Sequence, residues 1–549
     1  MPLLALAAAS LAAGVIVGTA SGRAEGQLVS DYVHSWARGE YRQMYTLLDR
    51  RSRLRMTEPA FAAAYEHDAR TATLTSLTAM HVGGLRGNLI DVSMLARTRL
   101  FGTLRETLIV PLLDSSSGPT VRFAGTLLFP GLRPGERLTR AAALAPRATL
   151  LARDGTPLAQ GPARSSPIPG VASAIAGVLG PIPADEATTY AAAGYPPEAK
   201  VGLDGLERIF ERQLAGTPGG MLLAGRRILA QTTPLAGHTV TTTIDPSVEA
   251  AAIQALGSRY GGIAAMDPRT GQVLALVGVA FSALQPPGST MKIITVTGAL
   301  EAGIVKIGDT FPIATSTTID GYTLQNANGE ACGGTLLNAF AVSCNSVFAP
   351  LGAKLGAQRL VDVAQRFGFN QQPSIPGASE SQIPSAGKIG DSLAVGSSAI
   401  GQGMVQASAL EMTDVAATIA MGGTRPLPTL LSGQAPRFVH VTSAEVASLV
   451  QRMMVAVVQF GTGTAAQIPG VQVAGKTGTA ELANTTNSNS SSNNSTANSA
   501  KNTDAWFVGY APVGAPRVVV GALFPNQGAG GATAAPAVQP VLVAGLHSG

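Results

Sequence analysis

The stretch Pro286-Pro287-Gly288-Ser289-Thr290-Met291-Lys292-Ile293-Ile294-Thr295-Val296-Thr297-Gly298-Ala299-Leu300 is a turn of Pro and Gly that runs into a helix apolar on nearly all sides. It carries a serine and a lysine three residues apart, and on a helix such residues are neighbours on one face. The Ser289 hydroxyl and the Lys292 amine are thereby expected within hydrogen-bond reach, the spacing of a nucleophile and its base. Serine needs such a base at neutral pH, and a lysine becomes one only when desolvation or a second cation disfavours its ammonium form. The Met, Ile, Val and Leu of this helix supply the desolvation. Free backbone N–H groups at the helix start favour negative charge developing near Ser289. The S-x-x-K pattern is short, however, and recurs at Ser385-Ala386-Gly387-Lys388 among Pro and Gly, with no helical run after it. The rest of the chain has to decide between catalysis and coincidence.

Immediately upstream, residues 262–267 and 272–277 read as two apolar strands around Pro268-Arg269-Thr270-Gly271, a hairpin of a buried sheet. The serine thus follows a sheet and opens a helix. Downstream, the helical run 336–342 is interrupted by Ser343-Cys344-Asn345 before a second helix over 346–355. A hydroxyl and an amide two residues apart on a bend can relay a proton and hold a substrate amide. S-x-N is weak alone, since Ser491-Ser492-Asn493 matches it within a polar tract. Further on, the strand 471–475 ends in Lys476-Thr477-Gly478-Thr479, and Lys-Thr-Gly occurs once in the chain. On a strand beside a serine, the lysine offers charge to a carboxylate, the threonine a hydrogen bond, and Gly478 room for a substrate. The backbone N–H of Thr479 with that of Ser289 would form an oxyanion hole. Each motif alone reads as an ordinary surface feature; the three in this order make coincidence improbable.

The whole chain bounds the reading. Its 549 residues exceed one core, so two or three domains are expected. With 46% hydrophobic and 13% charged residues it is globular rather than generally disordered. A net charge of +5 over this length, without a Lys/Arg block, disfavours nucleic acid as a partner. Two cysteines and six histidines show no metal-ligand spacing. Residues 3–20 are a run of Leu, Ala, Val, Ile and Gly with one Ser and one Thr, long enough to cross a bilayer. Only the α-amino group precedes the run and no A-x-A cleavage site follows, so segment 1–23 is read as an uncleaved anchor in preference to a signal peptide, with the remainder outside the cytoplasm.

Between the anchor and the sheet lie two further regions. In 24–140, Leu28, Tyr32, Val33, Trp36, Tyr41, Met44, Tyr45 and Leu48 recur at helix spacing, a helix follows near 59–65, and alternating strands come after it near 72–75, 88–94 and 105–112. Helices followed by a curved sheet imply a small α+β cone with no catalytic constellation. In 141–238, a hairpin around Asp154-Gly155 precedes a Pro/Gly/Ala-rich middle and an amphipathic helix over 201–214, which together read as an elongated linker domain.

With these residues in place, the chain resembles a penicillin-binding protein of the monofunctional (class B) transpeptidase kind. Its three motifs are similar to the S-x-x-K, S-x-N and K-T-G set of that superfamily. Asp267 to Gly271, Ile400-Gly401-Gln402-Gly403, Gly461-Thr462-Gly463-Thr464-Ala465 and 504–512 look like family segments too. The resemblance covers about residues 145–545, and 24–140 is similar, more weakly, to the NTF2-like domain of a subset of these proteins. The implied fold is a multidomain α+β one: an NTF2-like cone over 24–140, a dimerisation/linker domain over 141–238, and over 239–549 a β-lactamase/transpeptidase-like antiparallel sheet flanked by helices.

The resemblance implies that Ser289 attacks the D-Ala-D-Ala bond of a peptidoglycan stem peptide while Lys292 takes its proton. Ser343 would protonate the leaving amine, Asn345 bind the peptide amide, and Lys476 with Thr477 hold the carboxylate. β-Lactams would acylate the same serine, with no cofactor or metal, and the cytoplasmic membrane and other cell-wall synthesis proteins would be partners. A serine β-lactamase, which needs a base to hydrolyse the acyl-enzyme, and a non-catalytic β-lactam sensor or scaffold of the cell-wall machinery are the alternatives. Two departures stand out. Residues 484–502 are almost wholly Asn, Ser and Thr and are expected to be a disordered hairpin insertion or a shield over the groove. Cys344 sits inside the Ser343/Asn345 motif, and in an oxidising compartment its pairing with Cys332 is an open alternative to two free thiols.

Overall fold

The computed structural model describes residues 22–115, 118–481 and 503–548, so the apolar run 3–20 and the polar insertion 484–502 lie outside the described residues. Contacts divide the chain into two compact units. One takes the described residues up to Ala148 with Val178–Thr239, and the other takes Thr149–Gly177 with everything from Val240 onward.

The first unit opens on helix α1 (Arg23–Ala37), whose Val29, Tyr32, Val33 and Trp36 recur every three or four residues and are all buried. Helix α2 (Glu58–Thr71) starts where Thr57 accepts the Ala60 N–H and Pro59 occupies the first turn. Its Tyr65 meets Trp36 edge to face at 5.0 Å and shares a 2.6 Å hydrogen bond with the Tyr32 hydroxyl. An antiparallel sheet follows, in the order β1 (Leu74–Arg86), β2 (Leu89–Thr98), β3 (Gly102–Ser115), β4 (Gly118–Val121). Along β2, Ile90, Val92, Met94, Ala96 and Thr98 are buried and the residues between them are not. One face therefore packs into the core that holds the α1 side chains. Register shifts at three points of the β1–β2 pair curl the sheet, giving an α+β cone. A second sheet of β5 (Leu138–Ala143), β6 (Gly219–Ala224) and β7 (Arg227–Thr232) contributes Leu138, Leu222 and Ala224 to the same core.

The single amphipathic helix expected over 201–214 is instead two short helices, Gly205–Ile209 and Glu211–Ala215, split at Phe210. Arg147 explains the break. Its Nη2 donates to the Glu207 carbonyl at 3.0 Å, taking an acceptor that a continuous helix would spend on residue 211, while the same guanidinium clamps the Glu207 and Glu211 carboxylates at 2.7 and 2.8 Å.

The second unit is built on a five-stranded antiparallel sheet. Asp245 caps α3 (Pro246–Leu256) by accepting from the Ser247 and Val248 N–H groups. Strands β8 (Gly262–Asp267) and β9 (Gln272–Gly278) form the expected hairpin. Then come α4 (Lys292–Glu301), α5 (Leu336–Ala341), α6 (Asn345–Leu355), α7 (Ala409–Ala420), α8 (Ala444–Gln459), β10 (Ala474–Glu481), β11 (Thr503–Ala511), β12 (Val518–Phe524) and α9 (Gly530–His547). Sheet order is β9-β8-β12-β11-β10. Period-two alternation assigns the layers. Val518, Val520, Ala522 and Phe524 share a core with α3 and α9, whereas Gly521 faces the other way and meets Thr413 of α7. Helices thus flank both faces of the sheet, and β10 lies at its edge.

Candidate active site

Ser289 lies in a 3-10 turn, Gly288–Met291, and the α-helix proper begins at Lys292. In a 3-10 turn residues i and i+3 eclipse, so serine and lysine still share a face. Gly288 makes the turn possible. It has φ 52°, donates its N–H to the Gly401 carbonyl at 2.9 Å, and would carry a Cβ only 2.8 Å from the Thr479 carbonyl. Behind the turn, Lys292, Ile293, Ile294 and Val296 are fully buried, which desolvates the lysine as its apolar neighbours predict.

Lys292 is turned toward the Ser343 bend. Its Nζ donates to the Ser343 carbonyl and to Asn345 Oδ1, each at 2.7 Å, and stands 3.2 Å from Ser343 Oγ; Ser289 is not among these partners. Ser343 Oγ also accepts from Lys476 Nζ at 2.9 Å, and that amine donates to the Thr477 carbonyl at 3.0 Å. One hydroxyl therefore stands between two fully buried amines. Burial first, and the Lys476 charge second, push the Lys292 amine well below its ordinary range. Burial brings Lys476 down to about 7. The rings of Phe348 and Phe340 lie 5.6 and 5.5 Å from the two nitrogens.

The bend has a local cause. Helix α5 ends in a Schellman motif, with the Ser343 N–H on the Phe340 carbonyl at 3.2 Å and the Cys344 N–H on the Ala339 carbonyl at 2.9 Å. The left-handed position that motif requires is filled by Ser343 itself, at φ 64°. A serine held where glycine is favoured costs about 1 kcal/mol. Cys344 is joined to Cys332 by a disulfide, with their Cα atoms 5.8 Å apart. Asn345 opens α6, and its Nδ2 donates to the Gln325 carbonyl at 3.1 Å.

Strand β10 brings Lys476, Thr477, Gly478 and Thr479 alongside the serine turn. A Cβ on Gly478 would stand 2.7 Å from the Pro287 carbonyl and 2.8 Å from Trp506 Cβ, so only glycine permits the approach. Among the described residues β11 is the only strand paired with β10, leaving its other edge to offer backbone N–H and C=O groups to an extended chain. The Thr477 hydroxyl is hydrogen-bonded to that of Thr462, a partner that sequence reasoning missed. Its signal was present in Gly461-Thr462-Gly463, a tight turn whose Thr462 N–H also donates to the Ala341 carbonyl at 3.1 Å. Gln325 left no such signal.

These three motifs, from three separate places in the sequence, meet at one groove. The groove offers a serine at a helix start, an amine whose basicity burial lowers, a hydroxyl shared between two amines, and a strand edge. Such an assembly suits acyl transfer from an extended, anionic substrate. Among the described residues no group of three His, Cys, Asp or Glu could hold a metal ion.

Comparison with known proteins agrees with this geometry. Residues 261–543 match the penicillin binding protein transpeptidase domain, and residues 154–227 the penicillin-binding protein dimerisation domain. The peptidoglycan D,D-transpeptidase PbpA of Mycobacterium tuberculosis is 31% identical over 376 residues, which are 57% of this chain and 73% of that protein. PbpA of Mycolicibacterium smegmatis is 32% identical over 417 residues, covering 63% and 80%. Among solved structures, the ceftriaxone acyl-enzyme complex of M. tuberculosis penicillin-binding protein A superposes with a TM-score of 0.59 at 27% identity, over 73% of this chain and 99% of that one. The chain therefore belongs to the penicillin-binding proteins, as a class B-type member in which a dimerisation domain accompanies the transpeptidase domain.

Proposed function

We propose that the protein is a serine D,D-transpeptidase that cross-links peptidoglycan stem peptides through an acyl-enzyme on Ser289, and that β-lactams acylate the same serine. The observation that carries this reading is the Ser343 hydroxyl set between the two buried amines of Lys292 and Lys476. With Lys476 retaining the proton, Lys292 is neutral and accepts the Ser289 proton as Oγ attacks the carbonyl carbon of the D-Ala-D-Ala bond. The oxyanion forms on the backbone N–H groups of Ser289 and Thr479. The same proton then returns through Ser343 Oγ to the departing amine, and D-Ala leaves. Attack on the ester by a second stem peptide's amine runs the transfers in reverse. Lys476 and Thr477, the latter steadied by Thr462, hold the substrate carboxylate, and Asn345 takes the peptide amide by exchanging its bond to Gln325.

The N-terminal cone, with its helices ahead of a curled four-stranded sheet, supports an NTF2-like reading of that domain. The apolar run 3–20 supports a single N-terminal anchor in the cytoplasmic membrane with the catalytic unit outside the cytoplasm; among the described residues no helix is long and apolar enough to cross a membrane.

Mass spectrometry after incubation with benzylpenicillin tests the assignment. A stable adduct of one penicillin mass on the peptide containing Ser289 is expected. Rapid turnover of the penicillin would make the protein a hydrolase, and an unmodified serine would make it a scaffold.

A further inference from the structure

Away from the groove, one rim of the N-terminal cone gathers exposed arginine and leucine. The Val121 N–H donates to the Leu47 carbonyl and the Asp49 N–H to the Val121 carbonyl, each at 2.9 Å, so residues 47–49 extend the sheet beyond β4. Asp49 then caps the short helix Arg50–Arg55. Arg50, Arg51, Arg53 and Arg55 are all exposed, and none of the four guanidiniums forms an ion pair among the described residues. Arg50 with Arg53, and Arg51 with Arg55, stand one turn apart, where like charges oppose a helix. Leu54 among them is 78% exposed, and the exposed Arg122 follows β4. The acidic residues at this end of the sheet are Asp91, which Arg86 meets at 3.9 Å, and the exposed Asp114, so the rim is basic overall. Arginine around an exposed leucine suits a surface that is anionic outside and apolar beneath.

The chain enters the cone at the same height. Leu85, Ile90 and Val110 are neighbours across β1, β2 and β3, and the next row outward is Arg86, Leu89 and Pro111, whose carbonyl accepts the Arg122 N–H at 2.8 Å. Gly22, ahead of α1, lies at the β1 end of these rows: a Cβ there would stand 3.6 Å from Leu85 Cβ. Leu85 and Leu89 are themselves exposed. The apolar run ends at residue 20, two residues earlier. Two residues reach about 7 Å at most, about the depth of one headgroup layer. With that run as the anchor proposed above, the Leu85 edge cannot stand clear of the lipid headgroups. The arginine helix lies on the same rim, no more than about 19 Å away at four strand spacings. We propose that this rim docks on the anionic lipid surface of the membrane that holds the anchor, with the four arginines on lipid phosphates and Leu54 beneath them. The docking rests on the anchor reading and is independent of the transpeptidase one.

The two cysteines are joined to each other, so Leu54→Cys gives a single thiol for a fluorophore. Thr103→Cys gives the control, at an exposed position paired with Arg97, about 26 Å along the strands from the Leu89 row. Each labelled full-length chain is reconstituted in vesicles of phosphatidylcholine, alone or with phosphatidylglycerol added, that carry a headgroup spin label as quencher. With phosphatidylglycerol present, the label at 54 should be quenched about twofold or more beyond the label at 103. In the Leu54→Cys chain, replacing all four arginines by glutamine should lower the docked-to-free ratio about a hundredfold and bring the two labels level, while the melting temperature shows a folded protein. Equal quenching at 54 and 103 in a chain that resists alkaline carbonate extraction would overturn the docking and leave the anchor standing. Extraction by carbonate would overturn the anchor, and the docking with it. Quenching at 54 that phosphatidylcholine alone reproduces, or that the folded glutamine variant retains, would remove the arginines from the contact and overturn the proposal too.

Discussion

Replacing Lys476 by Met should move the pH profile of acylation toward alkaline pH. Both amines contact Ser343 Oγ, at 3.2 and 2.9 Å, so the two nitrogens are no more than about 6 Å apart. At an effective dielectric of about 20, two unit charges at that distance repel by about 3 kcal/mol, or about 2 pKa units. Some of the depression of Lys292 comes from burial, which Met preserves, so a shift of about 1–2 units is expected when the charge goes. The assay is the pseudo-first-order rate of labelling by a fluorescent penicillin between pH 5 and pH 10. Because Lys476 is also assigned to the carboxylate, the plateau will fall; the informative quantity is the midpoint of the rising limb. That midpoint should climb by about 1–2 units. A midpoint that stays put, or falls, would refute the idea that the second lysine helps to keep the first one neutral.

The other perturbations are simpler. Lys292→Arg places a permanent charge there that cannot accept the Ser289 proton, so labelling should cease while thermal melting still reports a folded protein. Ser343→Ala and Ser343→Gly both lose the shared hydroxyl and should label slowly. Since only glycine is relaxed at φ 64°, the glycine variant should be the more stable of the two by about 1 kcal/mol in a denaturant titration. Equal stabilities would remove the strain argument. Glu249 is fully buried beneath the sheet, with one oxygen on the Leu276 N–H, and burial pushes its carboxyl up to about 8. A folded pKa above the unfolded one gives stability that is complete below about pH 4.5 and lost as the pH rises through about 8. Glu249→Gln lacks that loss. Its stability relative to the parent should therefore rise by up to about 5 kcal/mol between pH 4 and pH 9; parallel curves would show that folding leaves the carboxyl unshifted.

What the sequence conveyed best were features encoded in short stretches. The places of Ser289 and Lys292, Ser343 and Asn345, and Lys476 to Thr479 were legible because a turn, a bend or a strand positions them, and the apolar run after Ser289 announced the burial of Lys292. The alternation in 88–94 and the apolar hairpin at 262–277 were legible for the same reason. Relations between distant residues were not. Nothing local shows that Lys292 bonds the Ser343 bend in place of Ser289, since that depends on two helices meeting across 51 residues. Likewise, Arg147 breaks a helix 60 residues away by taking one of its carbonyls, and Thr462 reaches Thr477 only because the loop after α8 packs against β10. Periodicity reports which face is buried and leaves unsaid what it is buried against.

The disulfide between Cys332 and Cys344 closes a loop of twelve residues, a constraint of about 3 kcal/mol on the chain-entropy estimate, and it ends between the hydroxyl and the amide that face Lys292. Protein made in a reducing cytosol would leave that bend untethered while the distant cores still assemble. Two batches that elute alike on chromatography can then differ in the fraction that a penicillin titrates. Active-site titre becomes a record of oxidation history, and thiol content is the quantity to report beside it whenever preparations are compared.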